Sequence, residues 1–307
     1  MRCKVCDSEL TLRKKYNEHV AVLSLKTLIK KLLPFFDFII PGFIPKFKRY
    51  SSKKSPFRAF RGHISICSNC GYGVMENPPT KIELQRYYQE EYWSQRSTAV
   101  EKATVRDNEY KHDPRAIHQV DFVKEEIHCG TISNVLEIGA GAAYGSLLLR
   151  NRCKDSTINL YVCEPGAQWE DYYQRQGTKK IADNFPFETS ERFDFVHTSH
   201  WLDHTQDLDE TLSYLNTIIN PSGYIFVEVH NTEHFYWDLP TMDIPHIHFF
   251  TRRSLVKAFE NHKFDCLKIG EYGITYLDRQ NGISVTPDKY GACDKGFWIR
   301  GLFKKAS

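Results

Sequence analysis

Short apolar runs alternate with segments of helical periodicity through the second half of the chain, from about residue 131 onward. The apolar runs are Val135–Ile138, Leu160–Cys163, Phe193–Val196, Tyr224–Val229, Cys266–Ile269 and Trp298–Phe303. The amphipathic segments between them lie around residues 143–150, 167–176, 207–219 and 252–261. This alternation predicts an α/β fold in which helices cover both faces of a mainly parallel sheet. Such a sheet binds its ligands at the carboxyl ends of its strands.

The preceding residues, 96–130, are predicted to form a helical connector. Before it, Thr80 and Glu83 match a capping box that opens a short helix. Within it, the dipeptide Asp113-Pro114 matches the N-cap and first position of a longer helix. Apolar residues at helical spacing follow, and Gly130 is predicted to end this helix.

An insertion at residues 14–61 is apolar first and basic afterwards. Its most apolar run, Leu32–Ile44, contains prolines and a glycine and is shorter than the ~18 residues of a membrane span. Three interpretations stay open: a membrane-surface element through residues 20–48, a lid that binds phosphates, or an insertion that packs on the core. The N-terminus has no hydrophobic signal region. The protein is therefore expected to be cytoplasmic, with peripheral contact at the inner membrane face as an alternative.

Charge is divided unevenly along the chain. The 307 residues include 41 basic and 38 acidic side chains, for a net charge of +3. Residues 1–61 hold 15 of the basic and 4 of the acidic side chains (+11), and the remainder holds 26 and 34 (−8). With 41% apolar residues, the composition is that of a globular protein. The asymmetry predicts a basic N-terminal module joined to an acidic body, and an anionic partner.

Four of the nine cysteines form two C-x-x-C pairs. The pairs are Cys3 with Cys6, and Cys67 with Cys70. Two such pairs can place four thiolates around one zinc ion, and Gly71 suits the tight turn after the second pair. Residues 1–95 are therefore predicted to form a small zinc-ribbon-like module with structural Zn²⁺. The other five cysteines are expected to be ordinary thiols.

A glycine-rich loop follows the first strand of the α/β region. It reads Glu137-Ile138-Gly139-Ala140-Gly141, with Gly145 one position later than a dinucleotide fingerprint requires. The Glu137 carboxylate would repel a pyrophosphate and would suit a ligand with a cationic amino-acid end. Glu164, at the end of the second strand, is placed to accept hydrogen bonds from both hydroxyls of a ribose. A nucleoside with a positively charged tail is S-adenosylmethionine, and this chemistry disfavours an NAD-dependent enzyme.

From these motifs, residues 133–307 resemble a class I S-adenosylmethionine-dependent methyltransferase, and residues 131–307 are predicted to be that domain. The resemblance implies a seven-stranded Rossmann-like sheet whose last two strands, near 263–270 and 297–304, form a reversed hairpin. The segments that carry it are residues 137–145, 181–187, 193–200 and 220–224. The cofactor contacts it implies are Glu137, Gly139, Ala140, Gly141, Glu164, Asp183, Asn184 and Ser199.

The segment from Cys67 to Trp93 is similar to the zinc-binding N-terminal module of sugar methyltransferases from antibiotic and surface-polysaccharide pathways. A C-x-x-C-G knuckle, a proline pair and a tyrosine-rich stretch carry this resemblance. The chain ends at residue 307 without the extra domain of the C-methylating members, and Pro245 stands where they have a glutamate. The expected reaction is therefore O-methylation of a sugar, with C- or N-methylation as alternatives.

Histidines are the candidates for a general base, because a sugar hydroxyl has a high pKa. Seven of the 13 histidines lie within residues 197–248. His246 is the first candidate and His200 the second, while His204 is predicted to brace the site. A catalytic Mg²⁺ held by Asp203, Asp207 and Asp243 is an alternative. The predicted substrate contacts are Tyr88, Tyr92 and His248.

The expected partner is a small-molecule or nucleotide-linked sugar, and no nucleic acid is expected. A hypothesis from a different class is a zinc-containing nucleic-acid-binding protein, because the first 61 residues are basic. The acidic body and the intact glycine-rich loop argue against it. Oligomeric state is not indicated by any of these patterns.

Overall fold

The computed structural model describes residues 2–15, 63–92, 107–153, 157–234, 236–238 and 246–306. Its strands are β1 (Leu10–Lys15), β2 (His63–Cys67), β3 (Gly73–Met75), β4 (Asn134–Ile138), β5 (Asn159–Cys163), β6 (Thr178–Ala182), β7 (Phe193–Ser199), β8 (Ile219–His230), β9 (His248–Phe249), β10 (Phe264–Thr275) and β11 (Gly296–Lys305). Its α-helices are α1 (Lys81–Arg86), α2 (Pro114–Val123), α3 (Tyr144–Cys153), α4 (Glu170–Arg175), α5 (Leu208–Ile218), α6 (Arg252–Asn261) and α7 (Tyr276–Gln280). A π-helical turn, Tyr87–Glu91, continues α1.

Seven strands form one mixed sheet in the order β10-β11-β8-β7-β4-β5-β6. The five strands from β8 to β6 are parallel, whereas β11 runs antiparallel to both β8 and β10. This confirms the predicted α/β sheet and its reversed hairpin. The central strands are fully buried because helices cover both of their faces, as Leu136, Val196 and Ile225 show with exposures of 0%.

Strand β6 has no counterpart among the predicted apolar runs. Its sequence is Thr-Lys-Lys-Ile-Ala, and it lies at the edge of the sheet, paired with β5 alone. An edge strand is half solvated, so it does not need a continuous apolar run. The pattern of apolar residues therefore predicts the buried strands but does not predict β6.

A second sheet joins the N-terminal segment to a short strand that lies between β8 and α6 in the chain. Its order is β1-β2-β3-β9, and β9 pairs with β3 in the register Gly73↔Phe249 and Val74↔His248. The predicted domain boundaries at residues 95 and 131 stay predictions. The small sheet contains three strands from before these boundaries and one strand, β9, from after them. The N-terminal segment is thereby tied to the chain that follows β8.

Both predicted helix starts are present. Thr80 and Glu83 form a reciprocal capping box, and Asp113 accepts a hydrogen bond from Ala116 N at 2.7 Å with Pro114 in the first position. The predicted end at Gly130 is wrong, because α2 ends at Val123. Apolar burial continues to Ile127 in a turn, so the periodic pattern outlasts the helix.

Two of the five cysteines outside the C-x-x-C pairs form a disulfide. Cys129 and Cys153 are bonded, which joins the turn before β4 to the end of α3. The expectation of five ordinary thiols is therefore wrong for this pair, while Cys163, Cys266 and Cys293 are free. Twenty-four residues separate the pair in sequence, and only the fold brings their Cα atoms to 5.3 Å.

Residues 16–62, which hold most of the predicted insertion, lie outside the described residues, so its three interpretations stay predictions. Residues 93–95 of the predicted N-terminal module and residues 96–106 of the predicted connector also lie outside the described residues. Within the described ranges, no helix has the length and apolar character needed to cross a bilayer.

Candidate functional site

A cavity of about 520 Å³ opens at the carboxyl ends of the central strands. Five neighbouring strands each supply residues to the wall of this cavity, either at the last position of the strand or just after it. These residues are Gly139 after β4, Glu164 after β5, Asp183 and Asn184 after β6, Ser199 and His200 at the end of β7, and His230 at the end of β8. The cavity therefore lies where an open parallel sheet places its ligands.

The glycine-rich loop and Glu164 hold each other in place. Gly139 and Gly141 adopt φ values of +67° and +49°, which side chains other than glycine rarely adopt. The Glu164 carboxylate accepts hydrogen bonds from Gly141 N and Gly166 N, both at 2.9 Å. Glu164 is thereby held in the wall of the cavity.

Glu137 lies beneath this loop rather than in the cavity. It is 5% exposed, accepts a hydrogen bond from Ser146 N at 3.0 Å, and lies 3.2 Å from His197 Nδ1. Among the described residues that line the cavity, Gly139 is present, whereas Glu137, Ala140 and Gly141 are not. Glu137 thus supports the first turn of α3, where a carboxylate is favoured by the helix dipole, and its predicted contact with a cofactor stays a prediction.

Gly145 has a packing role that explains its late position after the loop. A Cβ atom there would lie 2.5 Å from both Cε1 and Nε2 of His197, whose ring stacks on Phe226. Gly145→Ala is expected to lower the free energy of unfolding by about 1–3 kcal/mol, because the histidine ring has to move within a packed core. Urea unfolding measures the change.

Gly130→Ala is the matched control for this substitution. Nothing lies within 4 Å of the Cβ position at Gly130, so this variant is expected to keep wild-type stability. Equal stability of both alanine variants would contradict the packing role of Gly145.

Four histidines surround one buried aspartate at the floor of the cavity. We call Asp203, His200, His204, His230 and His246 the histidine cluster. His230 Nδ1 lies 2.9 Å from Asp203 Oδ2, while His246 Nε2 and His204 Nε2 each lie 3.7 Å from an Asp203 oxygen. All four imidazoles line the cavity, and Asp203, which is 2% exposed, lies behind them. The structure thus brings together the three predicted catalytic histidines.

Burial and mutual proximity set the charge of the histidine cluster. Burial lowers the pKa of both His200 and His246 well below the ordinary value of 6.5, and positive neighbours lower it further. Burial alone would raise the pKa of Asp203, but His204, His230 and His246 hold it well below its ordinary value. At neutral pH, the aspartate is therefore ionised, and the imidazoles of His200 and His246 are neutral.

A buried ion network supports the cavity wall next to this cluster. Glu228 accepts hydrogen bonds from Arg115 Nε at 2.8 Å and from Arg300 Nε at 2.5 Å. Ser199, a predicted cofactor contact, lines the cavity and donates to Glu228 Oε1 at 3.1 Å. Sequence reasoning missed this network. A signal was present, because Glu228 and Arg300 each interrupt an apolar strand, and the strands pair these two residues directly.

The predicted substrate contacts divide into two groups. Tyr88 and Tyr92 line the cavity, and the Tyr88 ring lies 6.1 Å from that of His204. His248 does not line the described cavity: it is 3% exposed in the small sheet, with its Nδ1 2.6 Å from the Tyr72 hydroxyl. In this position His248 supports the small sheet, and its predicted contact with substrate stays a prediction. Of the Mg²⁺ candidates, Asp203 and Asp207 lie near the cavity, and Asp243 lies outside the described residues.

The four cysteines of the two C-x-x-C pairs converge at the edge of the small sheet. Their sulfur atoms all lie within 4.8 Å of one another, with Cys3 Sγ 3.6 Å from Cys70 Sγ and Cys6 Sγ 3.5 Å from Cys67 Sγ. Tetrahedral zinc with Zn–S bonds of about 2.3 Å separates its sulfurs by about 3.8 Å. The geometry therefore fits one zinc ion. Gly71 has the predicted turn conformation, with φ +75°.

A family model described as "Methyltransferase domain" matches residues 85–269, which is more than half of the chain. No curated protein matches the sequence.

Three solved structures with a similar fold are distant from this chain in sequence. A chain in the complex of the Haloferax volcanii Trm112 methyltransferase activator is 14% identical, with a TM-score of 0.50 over 72% of this chain and 98% of that chain. A Thermotoga maritima S-adenosylmethionine-dependent methyltransferase, described as a possible histamine N-methyltransferase, is 17% identical, with a TM-score of 0.47 over 68% and 98%. Burkholderia thailandensis 1,6-didemethyltoxoflavin-N1-methyltransferase is 15% identical, with a TM-score of 0.47 over 79% and 98%. At these identities, the likeness concerns the fold alone.

Proposed function

The chain belongs to the methyltransferase-domain family, and from that premise we propose that this S-adenosylmethionine-dependent methyltransferase transfers its methyl group to a hydroxyl oxygen of a sugar. The observation that carries the proposal is the meeting of two sites in one cavity. Its one end has the carboxylate and glycine loop suited to a nucleoside, and its other end has the histidine cluster.

The residues at the nucleoside end fit the cofactor. Glu164 would accept the ribose hydroxyls, and Asp183 and Asn184 would border the adenine. Gly139 has no side chain between its backbone and the cavity, and a Cβ atom there would lie 3.0 Å from Trp201 Cβ. S-adenosylmethionine supplies a methyl group that its sulfonium already activates. The acidic side chains of the wall favour this positive charge, and positioning is then the main task of the protein.

Glu164→Gln is expected to weaken binding of S-adenosylhomocysteine about 10- to 100-fold, because hydrogen bonds to a charged group contribute about 1.5–3 kcal/mol. Isothermal titration calorimetry measures the dissociation constant. Asp171→Asn, an exposed acid on α4, is the control and is expected to bind as the wild type does. An unchanged constant in Glu164→Gln would refute the ribose assignment.

The acceptor end supports a neutral sugar hydroxyl as the nucleophile. The oxygen attacks the methyl carbon in line, the carbon–sulfur bond breaks, and the hydroxyl proton passes to an imidazole. His246 is the first candidate for this base and His200 the second, since both line the cavity beside Asp203. The rings of Tyr88, Tyr92 and Trp298 supply aromatic walls against which the apolar face of a sugar can pack.

A structural zinc ion in the four-cysteine cluster is part of the same proposal. Its chemistry would hold the small sheet together, and Asn69 Nδ2, 3.5 Å from Cys6 Sγ, would support the ligand set from outside. The resemblance of Cys67–Trp93 to sugar methyltransferases supports the acceptor class.

Mass spectrometry of reactions between the purified protein, S-adenosylmethionine and a panel of nucleotide sugars tests the proposal. The expected product is heavier by one methyl group, and NMR places that group on oxygen. Methyl groups on nitrogen or carbon would replace O-methylation with the corresponding alternative. Steeply salt-dependent RNA or DNA binding, without methyl transfer, would favour the zinc-containing nucleic-acid-binding protein instead.

A further inference from the structure

We propose that Asp203, His204 and His246 bind one divalent transition-metal ion at the floor of the cavity. This site is distinct from the four-cysteine cluster. It goes beyond the proposed function, because metal binding can be measured without any acceptor.

Each of the two histidines lies at a distance from the Asp203 carboxylate that a shared ion would allow. His204 Nε2 lies 3.7 Å from Asp203 Oδ1, and His246 Nε2 lies 3.7 Å from Asp203 Oδ2. These distances are too long for hydrogen bonds. Two ligands that each lie about 2.1 Å from a metal are separated by about 3.0 Å at a right angle and by at most about 4.2 Å. One ligand atom from each of the three residues lies within 4.8 Å of the others.

The buried carboxylate has one oxygen that no donor satisfies. Asp203 is 2% exposed, and its Oδ1 has no hydrogen-bond partner among the residues that the structure describes. An ionised carboxylate oxygen in this position is costly unless a cation or a donor meets it. Its other oxygen accepts from His230 Nδ1 at 2.9 Å, which fixes the carboxylate in the way that outer-shell partners fix metal ligands.

The donor set selects the class of metal. Two imidazoles and one carboxylate suit Zn²⁺, Fe²⁺, Mn²⁺ or Co²⁺, whereas Mg²⁺ and Ca²⁺ prefer oxygen ligands throughout. His204 and His246 line the cavity, so the open coordination positions of the ion would face the space assigned to the acceptor.

Another group of acidic and imidazole side chains does not support a metal site. Glu233, His234 and Glu271 also lie within ligand distance of one another. However, Arg252 Nε lies 2.9 Å from Glu271, and Lys295 N donates to the same carboxylate at 2.8 Å. Those charges are already compensated, so that group does not require a cation.

In catalysis, a role for this ion rests on the proposed function. A metal-bound hydroxyl has a lower pKa and is a better nucleophile. Coordination uses the lone pair of His246 that the base role would need. His200, the second candidate for the base, then remains to accept the proton, since it also lines the cavity.

Equilibrium dialysis of chelator-stripped protein against Co²⁺, with bound metal counted by mass spectrometry, tests the site. The cysteine cluster contributes equally in the wild type and in variants outside it. We expect His246→Gln and His204→Gln each to bind one equivalent fewer than the wild type. His128→Gln, an exposed histidine outside the site, is expected to bind the same amount as the wild type. Binding of S-adenosylhomocysteine identifies the variants that are folded.

Equal Co²⁺ content in the wild type and the folded His204→Gln and His246→Gln variants would overturn the inference. It would leave the proposed methyltransferase function intact. Conversely, loss of one equivalent in these variants, combined with a wild-type protein that methylates no sugar, supports the metal site and overturns the proposed acceptor.

Discussion

Glu228→Gln is expected to lower the free energy of unfolding by about 3–5 kcal/mol, because it removes the only carboxylate observed to pair with Arg300 among the described residues. Arg300 is 0% exposed, so the substitution leaves a buried guanidinium without a countercharge. Arg115, from α2, loses the same partner and keeps only Ser199 Oγ, at 2.9 Å from its Nη2, as an observed side-chain acceptor among the described residues. Urea unfolding followed by circular dichroism measures the change.

Glu90→Gln is the matched control, since Glu90 pairs with Arg86 one helical turn away and both side chains are more than 60% exposed. Its expected cost is below about 0.5 kcal/mol, because solvent screens an exposed pair. Equal losses in the two variants would show that the buried network does not stabilise the fold.

The pH dependence of this difference has a definite sign. Burial alone would raise the pKa of Glu228, but Arg115 and Arg300 hold it well below its ordinary value of 4.5. A carboxylate whose pKa is lowered by folding stabilises the protein above its ordinary pKa, and this stabilisation is lost as the pH falls through the folded-state pKa. The stability gap between the wild type and Glu228→Gln is therefore expected to be full at neutral pH and to shrink in acid. A gap that grew below pH 4.5 would contradict the assignment.

Cys70→Ser is expected to release the proposed zinc ion and to unfold the small sheet, the largest effect among these variants. Structural zinc contributes about 10–16 kcal/mol of apparent binding free energy in small zinc-binding peptides, where binding and folding are coupled. The effect should spread to β9, because Thr251 Oγ1 donates to Cys70 O at 2.7 Å and Tyr72 lies 2.6 Å from His248 Nδ1. Metal content and limited proteolysis measure the two losses.

Cys266→Ser provides the control, since Cys266 is a free, half-buried cysteine in β10, far from the cluster in sequence. It is expected to retain the zinc content and the proteolytic resistance of the wild type. A wild-type protein without zinc, or a Cys70→Ser variant that resists protease as the wild type does, would refute the structural role of the cluster.

Local patterns in the sequence determined much of the fold. Buried strands of a parallel sheet need continuous apolar runs, so the strands of the sheet interior were predictable, and the solvated edge strand β6 was not. Helix starts depend on side chains within three residues, which is why Thr80 and Asp113 were assigned correctly. Helix ends depend on contacts from other elements, and α2 accordingly ended before Gly130.

The position of the cavity was predictable, because the order of the strands in the sheet determines it. Parallel strands align their carboxyl ends, so Gly139, Glu164 and His200 had to approach one another once the strand order was known. The family match over residues 85–269 agrees with this interpretation of the motifs.

The sequence by itself determined the buried strands of the sheet, the place of the glycine-rich loop and the two cysteine pairs, because each is encoded by residues close together in the chain. Only the tertiary structure decided which side chains face the cavity. It placed Glu137 and His248 beneath the surface, gathered four histidines around Asp203, and joined Cys129 to Cys153. Such contacts link residues that are far apart along the chain, and their geometry is set by packing, which a one-dimensional pattern does not record.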